Sequence, residues 1–125
     1  MNMAPRAGLL VRRGSERLFV PATVARHLVP LPRLSRVPWD SAQMALVSGE
    51  VVAVIELGEP SGSLLLCEIF GQRVALSGLA AERAGFWPES ERGVWVDDHD
   101  VPVLDLAAAL AAFQTQRDSH EEGAP

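Results

Sequence analysis

The sequence predicts an all-β fold built from two similar small modules. The first observation is an internal repeat. Residues 52–57 match 101–106 at an offset of 49, and 17–22 match 73–78 more loosely at an offset of 56. The second is that each copy gives its elements in the same order: a hairpin, a short helical stretch, another hairpin. The third is that the apolar runs before residue 105 are short, about six residues at most, and are closed by turn-forming residues.

The elements follow in order. Leu9, Leu10 and Val11 pair with Arg17 to Val20 around the turn residues Gly14 and Ser15. Pro21 suits the first turn of a helix predicted over 22–28, because it has no N–H to lose there. Residues 29–39 hold three prolines, which excludes a helix and predicts an extended segment across a sheet edge. A second hairpin joins 44–47 to 50–57 around Ser48 and Gly49, and 58–63 is a connector. The second unit repeats the plan. A hairpin of 64–70 and 73–76 turns at Gly71 and Gln72, a helix is predicted over 79–84, and a last hairpin of 93–96 and 101–104 turns at residues 97–100. Asp105 can cap a terminal helix running to about Gln116, with Leu106, Leu110 and Phe113 on its inward face. The expected organisation is one domain over 1–116. Its modules lie at about 9–57 and 64–104, its helix at 105–116, and its disordered tail at 117–125.

Composition narrows the class. The chain has 125 residues and 48% hydrophobic residues, enough for one packed domain. All eleven basic residues are arginine, and the net charge of −5 argues against general nucleic-acid binding. Seven of those arginines lie in the first 36 residues beside one acid. That polarity suits docking of one partner at a basic end and another at an acidic end, or simply a solvated charged surface. A single cysteine, Cys67, excludes an internal disulfide and fits a reducing compartment. No leader is recognisable, and the apolar runs fall far short of the ~20 residues that span a bilayer. A cytoplasmic protein without membrane insertion is expected.

The residues give little sign of catalysis. There is no glycine-rich phosphate loop, no G-x-S-x-G, no C-x-x-C and no zinc spacing. Asp97, Asp98, His99 and Asp100 could contribute to a metal site, but consecutive residues rarely converge on one ion, and they suit a hairpin turn. His27 has no nucleophile and acid near it in sequence and reads as a surface or groove residue. Cys67 alternates with leucines and reads as a core or half-buried thiol. Trp39, Trp87 and Trp95 are either contact anchors or plugs of the module ends. No catalytic residue, cofactor or metal is assigned.

Three stretches carry a resemblance to a known family. They are the Val29-Pro30-Leu31-Pro32 segment, the strand G-E-V-V-A-V-I-E-L over 49–57, and the helix entry V-P-V-L-D-L over 101–106. Their order and spacing resemble the CheW family of chemotaxis coupling proteins over roughly residues 9–113. The resemblance implies two five-stranded SH3-like barrels sharing a core. It implies a non-enzymatic adaptor of a chemotaxis-like or motility system, linking the cytoplasmic tips of methyl-accepting chemoreceptors to the regulatory domain of a histidine kinase.

Sites follow from the resemblance as expectations. A receptor-binding groove would use Val24, His27, Leu28, Val29, Leu31, Leu34 and Val54. A kinase-binding face would use Leu65, Cys67 and Val74. The chain departs from the family pattern where an arginine and a glutamate commonly pair, because Ser48 and His27 stand at those positions. The alternative is therefore a divergent module that binds a receptor, or itself, without coupling to the kinase. Exposed strand edges make weak self-association a further expectation.

Overall fold

A computed structural model describes residues 4–30, 34–36, 43–47, 49–58 and 63–111. Among these residues eleven strands are formed: β1 (Pro5–Arg13), β2 (Glu16–Pro21), β3 (Ala25–Pro30), β4 (Leu34–Arg36), β5 (Gln43–Val47), β6 (Glu50–Glu56), β7 (Ser63–Ile69), β8 (Gln72–Ser77), β9 (Ala80–Pro88), β10 (Gly93–Val96) and β11 (His99–Pro102). One helix, α1, covers 106–111 of the described residues. Asp105 caps it, accepting a hydrogen bond on Oδ1 from the Ala108 N–H at 2.9 Å. The expected end of that helix, Phe113 and the expected tail lie outside the described residues, as do Ser48, Leu31 and Trp39.

Both predicted internal helices are strands. Residues 22–24 form a turn, closed by the Val24 N–H donating to the Pro21 carbonyl at 3.0 Å, and β3 follows. Residues 80–88 are strand β9, although Ala80, Ala81, Glu82, Arg83 and Ala84 favour helix individually. The open edges of β1 and β7 decide the outcome. β9 pairs along β1 from Pro5↔Pro88 to Arg12↔Ala80, and β3 pairs along β7 from Ala25↔Cys67 to Pro30↔Ser63. A short isolated helix could not match that gain in backbone hydrogen bonding.

The strands lie in a three-stranded sheet (β2-β1-β9), a hairpin (β10-β11) and a six-stranded sheet (β3-β7-β8-β6-β5-β4). The repeat is present, but its copies trade strands. The third strand of the first copy, β3, joins β7 of the second, and the third strand of the second, β9, joins β1 of the first.

The correspondence holds register by register. In the β1–β9 ladder, Val11↔Ala81 and Leu10↔Arg83 flank a bulge at Glu82. Shifted by 56 residues, these become Cys67↔Ala25 and Leu66↔His27, which flank a bulge at Arg26. The β5–β6 pairs Val47↔Glu50 and Ala45↔Val52 become Val96↔His99 and Val94↔Val101 at a shift of 49. The parallel pair Val54↔Ala75 has its counterpart in the isolated parallel bridge Phe19↔Val103.

Period-two alternation explains the core. Val11, Leu18 and Val20 from one half meet Ile55, Leu65, Cys67, Val74 and Leu76 from the other in a central cluster, closed by Leu104, Leu106 and Leu110. The opposite face of each half has its own smaller cluster. One holds Leu10, Phe19, Trp87, Val94, Val96 and Val101. The other holds Val47, Val52, Val54, Leu64, Leu66 and Ala75. Strands buried on both faces need continuous apolar runs, and residues 9–11, 18–20 and 64–67 supply them.

Candidate partner-binding cleft

The two outer clusters are filled differently. In one, the rings of Phe19 and Trp87 meet edge to face, with centroids 6.1 Å apart and planes at 84°. The guanidinium of Arg83 lies over Trp87, 5.5 Å from the ring centroid. Gly8 makes room, since a Cβ there would come within 2.5 Å of the Phe19 ring. The repeat places Leu64 opposite Gly8 and Ala75 opposite Phe19, so the large and small partners are exchanged across the sheet.

In that second half there is a cleft of about 230 Å³ lined by Arg26, His27, Val47, Val52, Leu66, Glu68 and Arg73. Its floor is apolar, from Val47, Val52 and Leu66. Its rim is charged. Arg26 Nε lies 3.3 Å from Glu68 Oε2, and Arg73 pairs with Glu50. Glu68 and Arg73 are direct register partners in the β7–β8 ladder. The rim therefore reads Arg26, Glu68, Arg73, Glu50 across four neighbouring strands, with alternating sign. These half-exposed pairs contribute little stability, typically ~0–1 kcal/mol each.

The first half carries the corresponding group with one pair reversed. Arg12 and Arg17 both meet Glu82, Arg17 at 3.2 Å. Shifted by 56, Arg12 becomes Glu68, Glu82 becomes Arg26 and Arg17 becomes Arg73.

The residues expected to form a receptor groove separate onto two faces of β3. His27 is exposed and lines the cleft, and Val29 and the buried Val54 belong to the cluster beneath it. Val24 packs against the central cluster instead, and Leu28, 49% exposed, pairs with Leu65 on that other face. Residues 24, 27 and 28 share a face on a helix but not on a strand interrupted by a bulge at Arg26. Leu34 lies in β4, and Leu31 and Ser48 lie outside the described residues. The cleft residues missed from sequence are Arg26, Val47, Val52, Leu66, Glu68 and Arg73. Counting by twos from His27 would have found Val29 but not the neighbours on other strands.

The expected kinase face needs correction. Leu65, Cys67 and Val74 are buried in the central cluster and offer no side chain to a partner. The outward residues of the same hairpin are Glu68, Phe70, Gln72 and Arg73. Burial pushes the Cys67 thiol up to about 12, so it is not a poised nucleophile.

The turn expected over 97–100 is confined to Asp97 and Asp98, and His99 and Asp100 open β11. Asp97 and Asp98 take φ values of 48° and 65° between Val96 and His99, as a tight two-residue hairpin requires. Asp100 accepts a hydrogen bond from the Ser90 hydroxyl, which in turn accepts one from the Gly93 N–H at 2.9 Å. Among the described residues, no group of three or more His, Cys, Asp or Glu is placed to hold a metal. No helix among them is long and apolar enough to cross a membrane. Trp87 is a buried plug, whereas Trp95 is 40% exposed.

No protein-family model matches the chain, and no curated protein is similar to it in sequence. Its fold has a solved counterpart, the scaffolding protein TtCheW from Thermoanaerobacter tengcongensis. The two superpose with a TM-score of 0.58 at 17% identity, over 70% of this chain and 67% of that one. At that identity the likeness establishes a CheW-like, mostly β fold.

Proposed function

We propose that the chain is a non-enzymatic adaptor in a chemotaxis-like or motility signalling system, acting in the cytoplasm between chemoreceptor tips and a histidine kinase. The observation that carries this reading is the cleft lined by His27, Val47, Val52 and Leu66 and rimmed by Arg26, Glu68 and Arg73, in a CheW-like fold. An apolar floor with a charged rim suits one face of an amphipathic helix, the chemistry expected of a receptor tip. His27 sits at the mouth, with Val29 and Val54 in the layer beneath.

Each half reads as a small five-stranded barrel. The bridges Phe19↔Val103 and Glu89↔Val94 support this for one half, because they join β2 to the residue that follows β11, and β10 to the residue that follows β9. A kinase contact along 64–76 would use the outward hairpin residues Glu68, Phe70, Gln72 and Arg73, since the inward ones are core. A regulatory domain of the same barrel class could dock there.

Two calorimetric titrations test the proposal, one with a receptor signalling-tip fragment from the same organism and one with the regulatory domain of its kinase. Binding of both supports a coupling protein. Binding of the receptor fragment alone supports the single-partner module that the Ser48 and His27 positions motivate. Binding of neither overturns the adaptor reading.

A further inference from the structure

Phe70 stands at the tip of the β7–β8 hairpin, between the paired residues Ile69 and Gln72. It is 80% exposed. Its φ is 50° and that of Gly71 is 78°, the left-handed pair that a two-residue hairpin turn demands. Asparagine or glycine is the ordinary occupant of such a site, and a bulky aromatic there is an outlier. The chain thus keeps a side chain that is unfavourable both in backbone conformation and in exposure.

The surroundings of that tip have a symmetry of their own. The rim Arg26, Glu68, Arg73, Glu50 runs +, −, +, − across β3, β7, β8 and β6. Its midpoint falls between Glu68 and Arg73, on the hairpin that carries Phe70. Reversed by a two-fold axis through that midpoint, the row reads −, +, −, +. Every charge then meets its opposite: Arg26 faces Glu50 of the second copy, and Glu68 faces its Arg73. A residue on a two-fold axis meets itself.

We infer that the hairpin tip is a self-association surface whose occupant is a second copy of this chain. The copies are related by a two-fold axis through the β7–β8 hairpins, with the two Phe70 rings packed together and the alternating charges flanking them. The contact is small, well below the ~1,200 Å² of a standard interface, so the association is weak and depends on concentration and salt. The inference goes beyond the adaptor reading. Its test uses the protein alone, so either can fail without the other.

The test is sedimentation velocity of the full chain over a wide concentration range, with thermal melts as a folding control. The wild type is expected to show a reversible monomer–dimer equilibrium that weakens with added salt. Phe70→Asn, which suits the turn, should stay folded and raise the dimer dissociation constant by at least about tenfold. Glu50→Arg should weaken the dimer as well, by setting two arginines face to face. Adding Arg26→Glu to Glu50→Arg should restore it, because the row becomes −, −, +, + and is again complementary to its reverse, while both pairs within the monomer are lost. A wild type that stays monomeric, a Phe70→Asn variant that dimerises unchanged, or a double variant that does not recover would each overturn the inference.

Discussion

Phe19 meets Trp87 edge to face at 6.1 Å, and the repeat places Ala75 in the other half where Phe19 stands in this one. Phe19 is fully buried. Phe19→Ala should destabilise the protein by about 3–5 kcal/mol, as the loss of a large core aromatic does. Gly8→Ala should also destabilise, because its Cβ would strike both the Phe19 ring and the Val20 carbonyl oxygen, and Phe19→Ala should relieve the ring clash alone, so part of the cost. A double-mutant cycle by chemical denaturation measures both effects, and simple additivity would contradict the packing described.

Cys67 makes the stability of the protein fall with rising pH. Its thiol is held up to about 12 by burial, against an ordinary value of 9.0. Between those values the folded state keeps the proton that the unfolded state has released, so unfolding gains from each pH step. The stability contribution is whole below pH 9 and is lost as pH rises above it, at up to about 1.4 kcal/mol per pH unit. The chain has no tyrosine and its basic residues are all arginine, so few other side chains titrate in that window. Urea denaturation at pH 8 and pH 10 should show the loss in the wild type and much less of it in Cys67→Val. Equal losses in both would contradict the assignment.

The Asp105 cap is a smaller term. Asp105→Ala removes the acceptor of the Ala108 N–H and should cost roughly 1 kcal/mol. A lowered midpoint with an unchanged denaturant slope is the expected signature.

Phe70→Asn should stabilise the dilute monomer by roughly 0.5–1 kcal/mol, since it relieves a left-handed phenylalanine at a solvent-exposed turn. Denaturation at low protein concentration checks this. A destabilised variant would show that Phe70 packs within its own molecule.

Much of this architecture was legible in the sequence because it rests on local patterns. The hairpins at 9–20, 44–57, 64–76 and 93–104 follow from short apolar runs and turn residues, and Asp105 from its place before an alanine-rich stretch. The matches at offsets of 49 and 56 reappear as matched ladders. What the sequence concealed was non-local. Residues 22–28 and 79–84 have the composition of short helices, and only the vacant edges of β7 and β1, far away in the chain, draw them into strands. That error carried into the site. A helical reading grouped Val24, His27 and Leu28, whereas the strand sends His27 to the cleft and Leu28 to the other face. Leu65, Cys67 and Val74 were misplaced for a related reason. Over 64–67 and 74–77 these strands are buried on both faces and turn outward only near the hairpin tip, and an apolar run alone does not reveal that a second layer covers it.

The central claim is that the cleft beside His27 receives a partner helix. The most direct measurement is calorimetric titration of a receptor signalling-tip fragment into wild type, His27→Trp and Leu28→Asn side by side. His27→Trp fills the cleft mouth from an exposed position, and Leu28→Asn alters the opposite face of the same strand. The account predicts at least about tenfold weaker binding for His27→Trp and unchanged binding for Leu28→Asn. Unchanged binding by His27→Trp, with a loss on Leu28→Asn, would contradict it.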